Sequence, residues 1–295
     1  MSVVKFRPKE YIRAKAVEEV ISLLGKHGQK MRILAGGTEI HELAGRGMIP
    51  ETEVLVDIQD LGLSGIKDES DGLKIGALTT IRSVRDFDLF KSGAYTALHD
   101  ACDFTPMQII NLATIGGNLS SGLPLFCLPP AVMALDGAVK AVGPEGERVI
   151  PSDEFYVDYF LTALQPNEFV TEIQIPKAEA STGSAFKALK LLSVDYPAAS
   201  VAVRVTIDKK GNCKNVRIAL GSMGRIPFRA KKAEKALEGK QAKDDVVRKV
   251  CDELFKEVSP SSDIRSSAEY KREVAKVLLR TVLTKAIERA QGGTS

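Results

Sequence analysis

The spacing of apolar residues divides the first 176 residues into short strands and helices. Apolar side chains recur at helical spacing from Val17 to Leu24 and predict a helix over residues 10–27. Short apolar runs predict strands over residues 31–35, 54–58, 73–78, 138–142 and 169–175. Further helices are predicted over 40–46, over 81–90 behind a threonine N-cap, over 95–104 and over 130–135.

The second half of the chain predicts an antiparallel sheet covered by helices. Residues 198–207 and 216–220 are largely apolar, and the turn at 208–212 joins them as a hairpin. Three helices are predicted over 229–237, 244–256 and 268–289, and Ser266 with Glu269 forms a capping box for the last of them. Residues 177–183 are small and charged, and they predict a linker. The predicted fold class is α+β, with two domains that meet near residue 176.

Composition and charge narrow the range of functions. The 295 residues suggest about two domains. The 41 basic and 38 acidic residues give a net charge of +3, too balanced for a nucleic-acid or membrane-surface protein. No apolar stretch reaches the roughly 18 residues of a membrane helix, and the N-terminus has no signal-peptide core. We therefore expect a cytoplasmic protein with neither nucleic acid nor membrane as a partner.

The four cysteines, Cys102, Cys127, Cys213 and Cys251, are far apart in the sequence. Zinc and iron–sulfur sites usually have closely spaced cysteine ligands. We therefore expect reduced, mostly buried thiols and no metal site on this chain. The three histidines show no ligand spacing, and we assign no catalytic residue.

Two glycine motifs carry the strongest functional signal. The first is Ala35-Gly36-Gly37-Thr38-Glu39-Ile40, which follows an apolar run, and the second is Ala113-Thr114-Ile115-Gly116-Gly117-Asn118. Successive backbone N–H groups in a tight glycine turn can form an anion site. Two such motifs suggest a diphosphate held from both sides, as in a dinucleotide cofactor. Neither motif is a G-x-G-x-x-G or P-loop fingerprint, and each glycine pair alone could be an ordinary turn.

These motifs identify a family resemblance that runs nearly end to end. The chain resembles the FAD-binding medium subunit of molybdenum hydroxylases, the family of xanthine, carbon monoxide and nicotinate dehydrogenases. The segments Ser184-Ala185-Phe186-Lys187, Ala219-Leu220-Gly221-Ser222 and Asp263-Ile264-Arg265-Ser266 resemble later parts of the family in the right order. The resemblance implies an FAD-binding domain of the vanillyl-alcohol-oxidase-like type over residues 1–176, with subdomains that divide near 55–65. It also implies a smaller C-terminal α+β domain of the CO dehydrogenase flavoprotein type over 177–295.

The resemblance also implies a set of cofactor-binding residues. Backbone N–H groups of both glycine motifs, including those of Gly116 and Gly117, would face the FAD diphosphate, with the Thr38 and Thr114 hydroxyls beside them. Phe104, Val170 and Lys187 align with positions near the flavin. The complete set is Ile33, Leu34, Ala35, Gly36, Gly37, Thr38, Glu39, Ile40, Phe104, Thr114, Ile115, Gly116, Gly117, Asn118, Cys127, Val170 and Lys187. For Phe104 a plain core role has nearly equal weight, and Lys187 could be a solvated surface lysine.

Two positions depart from the family pattern. Cys127 stands where, by the resemblance, relatives carry an aspartate that contacts the cofactor. Its loss removes a polar contact worth about 0.5–1.5 kcal/mol if neutral and more if charged. Ile110 stands where many relatives carry an arginine, and we expect a different subunit contact there.

The resemblance predicts an FAD-containing electron-transfer subunit of an oxidoreductase complex. Electrons would pass from [2Fe–2S] clusters on a small partner subunit to FAD and then to NAD(P)+ or another acceptor. A large partner would carry the molybdopterin cofactor and act on a small N-heterocycle or aromatic such as nicotinate or xanthine. Two alternatives remain open at this point. One is a self-contained flavoenzyme of related fold, and the other is a flavin-free assembly subunit.

Overall fold

The computed structural model describes residues 6–49 and 51–293. Within them, the strands are β1 (Glu10–Arg13), β2 (Met31–Leu34), β3 (Val54–Asp57), β4 (Ile66–Glu69), β5 (Gly72–Gly76), β6 (Ala138–Gly143), β7 (Gly146–Pro151), β8 (Tyr156–Asp158), β9 (Leu161–Thr162), β10 (Phe169–Pro176), β11 (Thr182–Leu189), β12 (Ala199–Ile207), β13 (Cys213–Gly221) and β14 (Phe228–Arg229). The helices are α1 (Val17–His27), α2 (Thr38–Gly45), α3 (Ile81–Asp86), α4 (Thr96–Cys102), α5 (Met107–Ile110), α6 (Ile115–Ser120), α7 (Leu128–Ala134), α8 (Ser152–Phe155), α9 (Lys231–Leu237), α10 (Asp244–Glu257) and α11 (Ala268–Ala290). Single 3₁₀ turns lie at Gly28–Lys30, Asp88–Phe90 and Gly93–Tyr95.

Three main sheets follow one another along the chain. The first is parallel, with the strand order β1-β3-β2. The second is antiparallel, with the order β4-β5-β10-β6-β7, and β8 and β9 form a separate small hairpin. The third is antiparallel, with the order β11-β12-β13-β14. The chain therefore passes to a new sheet between Asp57 and Ile66 and again between Pro176 and Thr182.

The described residues form three apolar cores, and the second also includes Phe186, Ala188, Ala202 and Ala219 of the third sheet. Val20 and Leu24 of α1 pack with Val54 and Val56 against the first sheet. The second core lies around β5, β6 and β10 and includes the buried residues of α4, α6 and α7. In the third, α11 packs on β11 and β12, while α10 packs on α9 and α11. These observations confirm the α+β class and the antiparallel sheet with helices.

Ion pairs that are buried or half-buried join the second and third sheets. Asp136, just after α7, accepts hydrogen bonds from Arg204 and Arg217, each at 2.6 Å. Asp100 on α4 accepts from Arg289 on α11 at 2.6 Å, and the Arg289 side chain is only 4% exposed. Because these guanidinium groups leave water, each depends on its carboxylate partner.

The predicted helix over 10–27 is wrong in its first part. Residues Glu10–Arg13 form a strand that pairs in parallel with β3, and the helix begins at Val17. Strand pairing with residues more than 40 positions away overrides the local pattern there.

Two further local predictions need correction. Thr182 already belongs to β11, where its hydroxyl lies 2.8 Å from that of Thr206, so the linker is shorter than 177–183. The cap of α11 is Ser267 rather than Ser266: its backbone is extended, as a cap requires, and its hydroxyl accepts from the Tyr270 N–H at 3.2 Å.

The different subunit contact expected at Ile110 stays a prediction. The side chain is 1% exposed and packs in the core of the second sheet. An apolar residue at this position fills the protein's own interior, where an arginine in relatives would have to reach outward.

Candidate cofactor site

The first glycine motif forms the N-terminus of α2 with its backbone donors free. Strand β2 ends at Leu34, and Gly37 adopts a left-handed conformation with φ of 71° just before the helix. Among the described residues, the N–H groups from Gly36 to Ile40 donate to no protein acceptor, whereas His41 donates to the Gly37 carbonyl. Free N–H groups at the positive end of a helix dipole form a ready anion site.

The second motif is the start of helix α6, and its donors are occupied. The Thr114 hydroxyl accepts from the Gly117 N–H at 3.1 Å and caps the helix. The N–H groups of Ile115 and Gly116 donate to Thr79 and Ala77, both at 2.9 Å. The prediction that the N–H groups of Gly116 and Gly117 are free for a diphosphate is therefore wrong, because both already have protein acceptors.

The motif glycines are required by close packing. A Cβ on Gly36 would lie 1.9 Å from the Leu112 carbonyl oxygen, and one on Gly116 would lie 2.6 Å from the Ala77 Cβ. Leu112 and Ala113 directly precede Thr114, so the contact with Gly36 brings the two motifs together. We call the contact region between the two motifs the seam. A side chain at either glycine would separate elements that pack there.

Glu39 connects the two motifs from the first turn of α2. Burial raises the pKa of its carboxyl to about 7, the nearby Ser121 hydroxyl partly offsets this by hydrogen bonding, and Glu42 adds a further increase. Ser121 lies at the C-terminal end of α6. A half-buried acid that is easily neutralised therefore lies beside the anion site.

Asn118 supplies an unsatisfied acceptor on the same helix. Its Oδ1 atom is buried and has no hydrogen-bond partner among the described residues. Buried polar atoms in proteins nearly always have partners, so this oxygen is suited to a hydroxyl group of a bound ligand. The free donors before α2 and this acceptor on α6 fit the diphosphate and the sugar or ribityl hydroxyls of a dinucleotide.

Phe104 and Cys127 lie near a lysine that the sequence prediction missed. The Phe104 ring meets Phe186 edge-on at 5.5 Å, and the Lys190 ammonium lies 6.0 Å from its centroid. Lys190 also donates to the Phe104 carbonyl. Burial lowers the pKa of Lys190 and raises that of the Cys127 thiol to about 12, so position 127 carries no negative charge at neutral pH.

The other predicted positions are spread more widely. Val170 is buried on β10. The carbonyl of the next residue, Thr171, accepts from the Ala77 N–H, and the Ala77 carbonyl accepts from the Gly116 N–H. Lys187 is exposed on β11, on the face opposite to Phe186. Because side chains alternate along a strand, residues 186, 188 and 190 share one face and 187 faces away. This alternation is the signal by which Lys190 could have been preferred to Lys187.

The remaining predicted residues line the first motif or support the second. Ile33 and Ala35 pack against the core of the first sheet, while Leu34 and Ile40 are half-buried. Ile115 is fully buried beneath α6.

Tyr196 is a second residue that the sequence prediction missed. Its hydroxyl donates to Glu42 on α2 at 2.6 Å, and its ring packs against Phe126 at 5.9 Å. Arg265 lies over the same ring at 5.7 Å. The loop between β11 and β12 thus reaches back to the helix that begins at the first glycine motif.

The fold and the site together define a dinucleotide-binding α+β protein built on two glycine motifs. Residues 4–178 match the family described as the FAD binding domain in molybdopterin dehydrogenase, and residues 184–286 match the CO dehydrogenase flavoprotein C-terminal domain. The chain belongs to the FAD-binding medium subunits of molybdenum hydroxylases. It is the FAD-bearing subunit of an oxidoreductase whose molybdenum cofactor and iron–sulfur centres lie on partner subunits.

Individual relatives match over nearly their whole length. The carbon monoxide dehydrogenase medium chain of Afipia carboxidovorans is 31% identical over 283 residues, 96% of this chain and 98% of the relative. The glyceraldehyde dehydrogenase medium chain of Sulfolobus acidocaldarius is 32% identical over 270 residues, 91% and 94% of the two chains. A chain in the crystal structure of Cu,Mo-CO dehydrogenase superposes with a TM-score of 0.91 at 31% identity, covering 96% of this chain and 100% of that one.

The described residues contain neither a membrane-spanning helix nor a cluster of metal ligands. No helix within 6–49 and 51–293 has the length and apolarity needed to cross a membrane. In the same residues, no three His, Cys, Asp or Glu side chains are grouped as metal ligands.

Proposed function

We propose that this chain holds FAD across the seam between its two glycine motifs and passes electrons from a partner's [2Fe–2S] cluster to NAD(P)+ or another acceptor. The observation that carries the proposal is the row of free N–H groups from Gly36 to Ile40, in contact with a second motif that offers the unsatisfied Asn118 oxygen. The bound FAD would accept and release the electrons, and the protein would position it and adjust its potential.

The chain's own residues divide the binding task. The N–H groups ahead of α2 would hold the diphosphate, and the hydroxyls of Thr38 and Thr114 would lie beside it. Asn118 would accept from a sugar or ribityl hydroxyl. Phe104 would lie against the ring, and Val170 would support the wall beneath α6.

We infer that Lys190, rather than Lys187, supplies the positive charge at the ring. Lys190 forms no salt bridge with a carboxylate among the described residues and interacts with Asp195 only electrostatically; it donates to the Phe104 carbonyl and is close enough to the neutral Cys127 thiol to interact with it. An unpaired ammonium in a half-buried site stabilises a nearby negative charge. This supports a role in holding the reduced state of the cofactor.

The domain limits are part of the same proposal. We infer an FAD-binding domain over 1–176, with subdomains that divide near 55–65, and a C-terminal domain over 177–295. The changes of sheet after Asp57 and after Pro176 support these limits.

The partners and substrate follow from the family. We infer a large molybdopterin subunit and a small [2Fe–2S] subunit, with a small N-heterocycle or aromatic as the substrate of the complex. A relative named nicotinate dehydrogenase FAD-subunit supports the substrate class, while other relatives are named for carbon monoxide and glyceraldehyde. Because the substrate is hydroxylated on another subunit, this chain would serve each of them with the same electron-transfer site.

An absorption spectrum of the purified complex, with the released cofactor identified by mass, tests the proposal. Flavin bands and the mass of FAD are the expected result. A complex that lacks flavin and takes up none when FAD is added would contradict the proposal and favour a flavin-free assembly role.

A further inference from the structure

We propose that Glu39 must be a neutral acid when FAD is bound, so that cofactor binding takes up one proton at this residue. The inference rests on the proposed position of the diphosphate at the first glycine motif. It makes the affinity for FAD dependent on pH near neutrality.

The first step of the argument is the position of Glu39. It is the second residue of α2, within the run of N–H groups that have no protein acceptor. An ionised carboxylate here would compete with the diphosphate for the same helix terminus and repel it. A protonated carboxyl would do neither, and it could donate a hydrogen bond.

The second step is the set of charges around Glu39. Glu42 lies one turn along the same helix, where it pairs with Arg46 at 2.8 Å and accepts from the Tyr196 hydroxyl. The side chain facing Glu39 from α6 is the uncharged Ser121. Within the described residues, none of these neighbours gives Glu39 a free cation, because Arg46 is engaged by Glu42.

The third step is the balance between burial and the helix dipole. The dipole favours the ionised form by less than about 2 kcal/mol, whereas burial opposes it and prevails. Because the pKa lies at about 7, both the ionised and the neutral form of Glu39 are populated near neutral pH in the free protein. A bound diphosphate and the exclusion of water would both raise the pKa of Glu39 further, as burial does.

Titration calorimetry on the purified complex, stripped of its flavin, tests the proposal. FAD is added at pH 6 in MES and in Bis-Tris, and at pH 8 in HEPES and in Tris, because the heat difference between two buffers at one pH reports proton uptake. Phosphate is left out, since it would compete for the anion site. We expect almost no uptake at pH 6 and about one proton per FAD at pH 8. We also expect about tenfold weaker binding at pH 8 than at pH 6.

Two variants assign the proton. Glu39→Gln resembles the neutral acid in shape, so it should take up no proton and should bind FAD at pH 8 as tightly as the wild type does at pH 6. Glu18→Gln, on the exposed face of α1, should behave as the wild type.

Each contrary outcome has a distinct meaning. Tight, pH-independent binding by the wild type, or proton uptake that persists in Glu39→Gln, would overturn the role of Glu39 and leave the FAD site intact. If the wild-type complex binds no FAD at either pH, the proposed function fails and this inference fails with it.

Discussion

At the scale of single residues, the two glycine motifs depend on neighbours that lie far away in the sequence. Gly36 is needed because the Leu112 carbonyl occupies the space of a side chain. The sequence predicts this motif as a loop that binds an anion through its backbone N–H groups. The actual reason for the glycine, a close contact between two motifs, could not be predicted because it depends on the tertiary fold.

Replacing Gly36 should therefore disrupt the seam. We expect Gly36→Ala to lower the free energy of unfolding by about 1–3 kcal/mol and to weaken FAD binding, because a backbone atom cannot move aside freely. Urea unfolding and FAD titration measure both effects. The matched control is Gly45→Ala in the same helix, which has open space around it and should stabilise α2 by up to about 1 kcal/mol. Equal behaviour of the two variants would contradict the packing argument.

Glu39 should also affect stability in the absence of FAD. Its pKa in the folded protein is raised to about 7 from an ordinary value of 4.5, so the folded state holds the proton more tightly than the unfolded state does. The free energy of unfolding should therefore fall by up to about 3 kcal/mol as the pH rises from about 4.5 through 7. Urea unfolding of the flavin-free chain at pH 5 and pH 8 should show a smaller decrease in Glu39→Gln. An unchanged decrease would show that other groups cause it.

At the scale of elements, sequence patterns were reliable where a segment buries one regular face. The helices at 244–257 and 268–290 and the hairpin of β12 and β13 match their predicted positions closely. The exposed strand Glu10–Arg13 was missed because only its pairing with β3 makes it a strand. The second glycine motif became a helix start because Thr114 caps it.

Side chains alternate along β11 and the residue that follows it, so Lys187 and Lys190 lie on opposite faces. We expect Lys190→Met to lower the midpoint potential of the bound flavin by about 30 mV, which corresponds to about 1.4 kcal/mol for a two-electron couple. The physical reason is the loss of a half-buried positive charge beside Phe104. Lys187→Met should leave the potential unchanged, since this side chain is exposed on the other face. Redox titration of both variants measures these potentials. A shift in Lys187→Met alone would refute the assignment.

At the scale of the whole molecule, ion pairs between distant elements join the domains. Asp100→Ala should lower the free energy of unfolding by about 3–5 kcal/mol, because it removes the Asp100 carboxylate from the buried Arg289 guanidinium. Thermal or urea unfolding measures the loss. Asp158→Ala is the control, because its partner Arg225 is 76% exposed and surface pairs add little to stability. A similar loss in both variants would contradict the importance of burial.

Asp136 makes the same junction sensitive to acid. Burial opposes its ionisation, but the Arg217 hydrogen bond and the charges of Arg204 and Arg229 prevail and lower its pKa. A lowered pKa stabilises the fold at neutral pH, and this contribution is lost as the pH falls through the folded-state value. We expect the wild type to lose more stability than Asp136→Asn between pH 6 and pH 3, as measured by urea unfolding. A parallel loss in both would exclude Asp136 as the cause.

The contacts around the first glycine motif also set an order of assembly during protein synthesis. Gly36 packs against Leu112, and Glu42 on the following helix accepts a hydrogen bond from Tyr196. Asp100 pairs with Arg289, which lies near the end of the chain. The ribosome makes the first glycine motif early, whereas Leu112 and Tyr196, which contact this motif and its helix, are made later. We therefore expect the proposed FAD site to be completed, and FAD to be loaded, only after α11 has been translated.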